Sequence, residues 1–171
     1  RDSSNITQRP LNLSGSRAYD STRTASGSDL SFTNIVSGET LGLTGSGVLD
    51  SPAAGSRTIV NTNTLAISDG SGIATNYTLT NGTLTMTIVP RSTTVSGTKT
   101  YDGTTNVASS NLTSFSNLAG SDTLSLSGTG TISTADVGTG KTVITSGLTI
   151  DNGSGVGTNY TLSSATVNVT E

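Results

Sequence analysis

The sequence predicts an all-β protein built from two tandem antiparallel β-sandwich modules of immunoglobulin-like type, arranged as an elongated rod. Three observations lead there. Ser and Thr together number 62 of 171 residues while charged residues make up only 11%, so the chain is polar without being charged. That balance does not fit disorder, which pairs low hydrophobicity with high net charge. The apolar residues alternate with period two, and the chain matches itself at an offset of about 82 residues.

The alternation marks half-buried strands at Leu41 and Leu43, Leu65 and Ile67, Tyr77 and Leu79, and Leu84, Met86 and Ile88. The same parity returns at Leu124 and Leu126, Leu148 and Ile150, Tyr160 and Leu162, and Val167 and Val169. Between these runs lie Gly, Ser, Asn and Asp clusters that suit turns. No dozen residues carry helical spacing. Only "ISTADVG" (132 to 138) offers a short helical turn, with Ser133 or Thr134 as its N-cap. A β-grasp-like module with one short helix is the alternative fold.

The repeat sets the boundaries. "LSGSRAYDSTRTAS" (13 to 26) lies over "VSGTKTYDGTTNVA" (95 to 108) at an offset of 82, and "ISDGSGIATNYTLT" (67 to 80) over "IDNGSGVGTNYTLS" (150 to 163) at 83. An extra residue is therefore expected near Glu39 and Asp122. Two modules follow, 9–90 and 91–171. Residues 1–8 read as the tail of a preceding module or a linker, with Ile6 over Ile88, and the chain as an excised piece of something longer. The junction "TIVPRSTT" (87 to 94) carries Pro90 and no flexible glycine linker, which restricts bending. A semi-rigid array of modules that contact their neighbours is the expectation. Sheet edges with few Lys are less protected by charge than usual.

The absence of Cys and His from the sequence excludes disulfides and histidine acid–base machinery. The net charge of −3 supplies no basic stripe for nucleic acid. No apolar run of membrane-spanning length occurs.

Four features invite a functional reading. "TADVGTGKTV" (134 to 143) has the spacing of a loose phosphate loop, in which backbone N–H groups and a Lys cradle phosphates. Such a loop needs a helix behind it, whereas "TVITSGLTIDNG" reads as strand, and Gly140 and Lys141 fall over Arg57 and Thr58. The stretch is expected to be a glycine turn feeding a strand that starts near Thr142. The Tyr-Asp motif, with Tyr19 and Asp20 in one copy and Tyr101, Asp102 and Gly103 in the other, is either a ligand-contacting loop or a structural turn. In the structural reading Asp102 closes an Asx turn, Gly103 supplies a permissive φ and Tyr101 plugs the end of the core. Tyr77 and Tyr160, each opening a late strand, are expected in the core, in a placement similar to the tyrosine corner of immunoglobulin-like sandwiches.

No cofactor is expected. Calcium stays open, since Asp69, Asp151, Glu39 and Asp122 lie in Gly-rich turns, but no run gathers the several oxygen ligands it requires. Lys99 and Lys141 offer no general Lys–Asn cross-link, being confined to one module. Asn-x-Ser/Thr occurs eight times (Asn5, Asn12, Asn76, Asn81, Asn111, Asn152, Asn159, Asn168), against about five by chance for this composition.

The runs "TKTYDGTT" (98 to 105), "VGTGKTV" (137 to 143) and "TNYTLSSATVNV" (158 to 169) together resemble a YDG repeat of large secreted bacterial surface adhesins of the filamentous-haemagglutinin-like type. The first copy departs from it: Ser21 replaces the Gly of the motif and "AGSRTIV" (54 to 60) replaces "VGTGKTV". The resemblance implies a non-catalytic stalk or spacer on the cell surface or in a secreted protein, supporting attachment or biofilm. Its expected partners are neighbouring repeats of the same chain, with host or matrix glycans met through other regions, no nucleic acid and no membrane insertion. A module that itself binds host glycan or matrix, and a nucleotide-using enzyme, are the competing readings.

Overall fold

The computed structural model describes residues 5–171 and is all-β. The chain divides into two compact units, ending at Val89 and beginning at Pro90. In the first unit the strands are β1 (Arg9–Pro10), β2 (Leu13–Ala18), β3 (Thr24–Ser26), β4 (Leu30–Phe32), β5 (Leu41–Thr44), β6 (Ser46–Leu49), β7 (Gly55–Asn61), β8 (Ala66–Asp69), β9 (Tyr77–Thr78) and β10 (Thr85–Val89). In the second they are β11 (Arg91–Thr100), β12 (Asn106–Ala108), β13 (Leu112–Ser116), β14 (Leu124–Thr131), β15 (Gly138–Val143), β16 (Leu148–Asn152) and β17 (Tyr160–Thr170).

The second unit shows the plan most simply. One sheet has the order β13-β11-β17-β15, the other β12-β14-β16. Their inward residues meet in one core: Val95, Val107, Leu112, Ile132, Val143, Ala165, Val167 and Val169, with Phe115, Leu126, Leu148 and Leu162 packed against it. A bridge between Thr131 and Ile144 joins the sheets at one side. The first unit makes the same junction by a short, bulged pairing of β6 with β7, Val48 opposite Asn61 and Leu49 opposite Ile59, so its strands β3-β6-β7-β10-β2-β4 form one sheet, with β5 and β8 paired beside it.

Most pairs are antiparallel, but the sheets are mixed. The first and last long strands of each unit run parallel: β2 beside β10, and β11 beside β17 along its whole length. A parallel centre between antiparallel flanks is the strand arrangement of the β-grasp-like alternative, yet among the described residues no α-helix crosses it. The short helical turn expected at 132–138 does not form. Single 3₁₀ turns occur instead at Gly27–Asp29, Ala74–Asn76, Ser109–Asn111 and Gly157–Asn159. Residues 132–137 instead cross from β14 in one sheet to β15 in the other, and the Lys141 ammonium takes the Thr134 and Asp136 carbonyls.

Strand register corrects the alignment of the copies. Gly15 opposes Leu30 and Leu13 opposes Phe32, whereas Gly97 opposes Leu112 and Val95 opposes Phe115. The extra residue of the second copy is therefore Thr113, absorbed as a β-bulge, and not a residue near Asp122. Likewise Arg57 opposes Met86 and Lys141 opposes Val167, which makes Arg57 rather than Thr58 the counterpart of Lys141. The first copy carries two residues more between Leu79 and Leu84, in the turn at Asn81-Gly82. Gly15 and Gly97 are fixed by contact: a Cβ would stand 1.9 Å from Asp29 O in one copy and 1.7 Å from Asn111 O in the other.

Candidate functional site

The Tyr-Asp turn leaves the sheet at the end of the first long strand of each unit. Tyr101 N–H donates to Thr170 O at 2.8 Å, and Tyr19 N–H to Val89 O at 2.9 Å. Beyond it, Asp102 Oδ1 accepts from both the N–H and the hydroxyl of Thr104 at 2.9 Å, closing an Asx turn. Gly103 sits at φ +75°. The first copy forms the same turn: Asp20 Oδ1 accepts from Thr22 N–H and Oγ1 at 2.8 Å. Ser21 stands where Gly103 does, at φ +66°, so Ser carries a left-handed backbone there.

A cation organises this turn from below. Lys99 is 4% exposed, and its Nζ donates to Thr104 O at 2.8 Å and Asn106 O at 2.6 Å while pairing with Asp102 Oδ1 at 2.8 Å. In the first copy Arg17 takes over these duties, donating to Ala18 O, Thr22 O and Thr24 O and pairing with Asp20 at 2.6 Å. The Lys99 hydrogen bond and those from Thr104 lower the Asp102 carboxyl to a pKa of about 2. At Asp20 partial burial pushes the other way, but the Thr22 and Arg17 bonds outweigh it and the pKa is also lowered.

Tyr101 does not plug the core. It is 53% exposed, while Tyr19 is 6% exposed. Lys99 fills the inward position at the end of β11, as Arg17 does in β2, so that stem does not set the differing burial of the two rings.

Tyr77 and Tyr160 are buried, but their phenols bond to carboxylates instead of only closing a tyrosine corner on backbone. Tyr160 donates to Asp122 Oδ2 at 2.5 Å and accepts from Ala119 N–H at 3.1 Å. Tyr77 donates to Glu39 Oε2 and its pKa is raised chiefly by that bond. The carboxylates lie over a Gly-Ser-Gly turn, where a Cβ on Gly155 would come within 2.8 Å of Asp122 and one on Gly72 within 2.6 Å of Glu39. A reciprocal pair of bonds at 2.9 Å, Thr123 N to Ser154 Oγ and Ser154 N to Thr123 Oγ1, holds that turn.

The glycine loop is strand, not phosphate cradle. β15 already begins at Gly138, so Thr142 lies inside it. Lys141 Nζ donates to Thr134 O at 2.8 Å and to Asp136 O, and its counterpart Arg57 donates to Ala53 O and Ala54 O, each at 2.7 Å. Both tie down the loop before their strand. Arg9 and Arg91 repeat the pattern, donating to Asn34 O and Asn117 O at 2.9 and 2.8 Å. Together with Arg23, on Leu49 O and Asp50 O, every Lys and Arg among the described residues donates to main-chain carbonyls. The sequence reading missed this use of charge.

Among the described residues no three acidic, His or Cys side chains gather where a metal ion could sit. No buried side-chain nitrogen or oxygen there lacks a hydrogen-bond partner, and no helix there is long and apolar enough to cross a membrane.

A family model described as the YDG domain matches the chain twice, over residues 5–86 and 83–167. No curated protein and no solved structure matches it.

Proposed function

From the premise that the chain belongs to the YDG-domain family, with two copies in tandem, we propose that it is a non-catalytic spacer segment of a secreted or cell-surface bacterial adhesin. In this reading it carries a binding tip away from the surface and so supports attachment or biofilm, and its partners are neighbouring copies of the same module. The observation that supports it most is where the polar chemistry goes. The Asp20 and Asp102 carboxylates, the Tyr77 and Tyr160 phenols and the cations at 17, 57, 99 and 141 are all spent on turns of their own module. Both copies spend them alike. A catalytic or ligand-binding group is normally held with a free valence facing a cleft.

Changing the number of copies in the parent surface protein tests the proposal. Deleting or adding a module should alter how far the adhesive part reaches while leaving receptor preference untouched; a changed preference argues against a spacer.

The exposure of Tyr101 favours a second reading, in which the module contacts host or matrix glycan itself, since an exposed aromatic ring suits stacking on a sugar face.

A further inference from the structure

The two copies each contain one Asn-Gly dipeptide, Asn81-Gly82 and Asn152-Gly153, and the fold treats them differently. Asn152 ends strand β16, and its Oδ1 accepts from Gly157 N–H at 2.8 Å. Gly153 N–H is also engaged, on Gly155 O at 3.0 Å. Asn81 belongs to the two-residue insertion of the first copy. It is exposed, sits at φ +62° and makes no side-chain hydrogen bond among the described residues. The N–H of Gly82 is held only by a long bond to Leu79 O, 3.3 Å.

We propose that Asn81 is a site of spontaneous covalent modification, converting to aspartate and isoaspartate in the folded protein while Asn152 is protected. Hydroxide removes the proton from Gly82 N, which attacks Asn81 Cγ. The bond from Cγ to the side-chain nitrogen breaks and ammonia leaves, giving a five-membered imide. Solvent water then opens one of the two imide carbonyls, so that the net change is amide plus water to carboxylic acid plus ammonia. No oxidant, metal or enzyme is needed. Gly82 offers the least hindered attacking nitrogen because it has no side chain.

The site also gives the product a structural consequence. Gly82 lies flush against the first strand region, where a Cβ would stand 1.8 Å from Leu11 O. An isoaspartyl link adds one methylene to the main chain immediately before that contact. The turn between Leu79 and Leu84 then no longer matches the strand beside it, and a new negative charge appears on a segment that has none between Asp69 and the end of β10.

Incubation of the whole chain at mildly alkaline pH, followed by peptide mapping with mass spectrometry, tests this. Isoaspartyl methylation distinguishes the two products. Conversion at Asn81 severalfold ahead of Asn152 in the folded protein, with the two sites drawing level in denaturant, is the expected result. Asn81→Gln, which would have to form a slower six-membered imide, should remove the first product without altering the fold. Equal rates at the two sites in the folded protein, a faster Asn152, or no conversion until the protein is denatured would each overturn the proposal.

Discussion

Tyr160 donates its phenol proton to Asp122 Oδ2 at 2.5 Å, across 38 residues of sequence, and Tyr77 does the same to Glu39 in the first copy. A carboxylate one methylene longer replaces Asp without loss of the bond. Removing the Tyr160 hydroxyl takes an acceptor from the buried Ala119 N–H as well as the donor to Asp122. Tyr160→Phe should therefore cost about 1–3 kcal/mol in denaturant unfolding. Asp122→Ala in the Tyr160→Phe background should cost clearly less than Asp122→Ala alone, and additive losses would show that the pair does not interact.

The Asp102 carboxyl has a folded-state pKa of about 2 against an ordinary 3.8. Because the folded value is the lower one, its contribution to stability is fully present above about pH 4 and is lost as pH falls toward 2. Asp102→Asn should flatten the acid limb of the stability curve of the second unit and leave the neutral-to-alkaline part unchanged in shape. An acid limb identical to that of the unmodified chain would assign the acid sensitivity elsewhere.

Lys99 is held by carbonyls that have no other use for it than closing the turn. Lys99→Met keeps the stem but leaves Thr104 O and Asn106 O short of a donor, at a cost of about 1–3 kcal/mol. Lys99→Arg, which imitates Arg17, should recover most of it. Thermal unfolding of both variants decides the matter; equal loss in the two would mean the position needs lysine geometry rather than a cation.

Ser21 and Gly103 occupy the same left-handed turn position. A left-handed conformation costs an L-residue about 1–2 kcal/mol, part of which glycine gives back through its greater unfolded-state freedom. Ser21→Gly should raise stability by up to about 1 kcal/mol and Gly103→Ser should lower it comparably. Midpoints that shift in the same direction in the two variants would contradict the equivalence of the turns.

Much of this architecture was legible in the residues. The period-two runs ending in Leu84, Met86 and Ile88, and in Val167 and Val169, are buried strands, because alternation in a half-buried strand leaves a direct trace in sequence. Asp followed by Gly or Ser and then Thr gave the turn, since Asx closure is local. The cation clamps were not legible, because their partners are main-chain carbonyls, which every residue has. The phenol–carboxylate pairs were hidden by distance along the chain. The position of the extra residue was obscured by composition: in a stretch such as "NLTSFSN" Ser and Thr align with one another in more than one register, and it is the step from Ser96 opposite Ser114 to Gly97 opposite Leu112 that fixes Thr113 as the bulge.

The central claim, that this tandem pair is a spacer which engages no ligand of its own, is tested most directly by presenting the folded chain to a broad glycan array alongside Tyr101→Ala. The account predicts no saturable binding by either protein. Saturable binding by the unmodified chain that disappears in a folded Tyr101→Ala variant would contradict it and make the exposed ring a recognition residue.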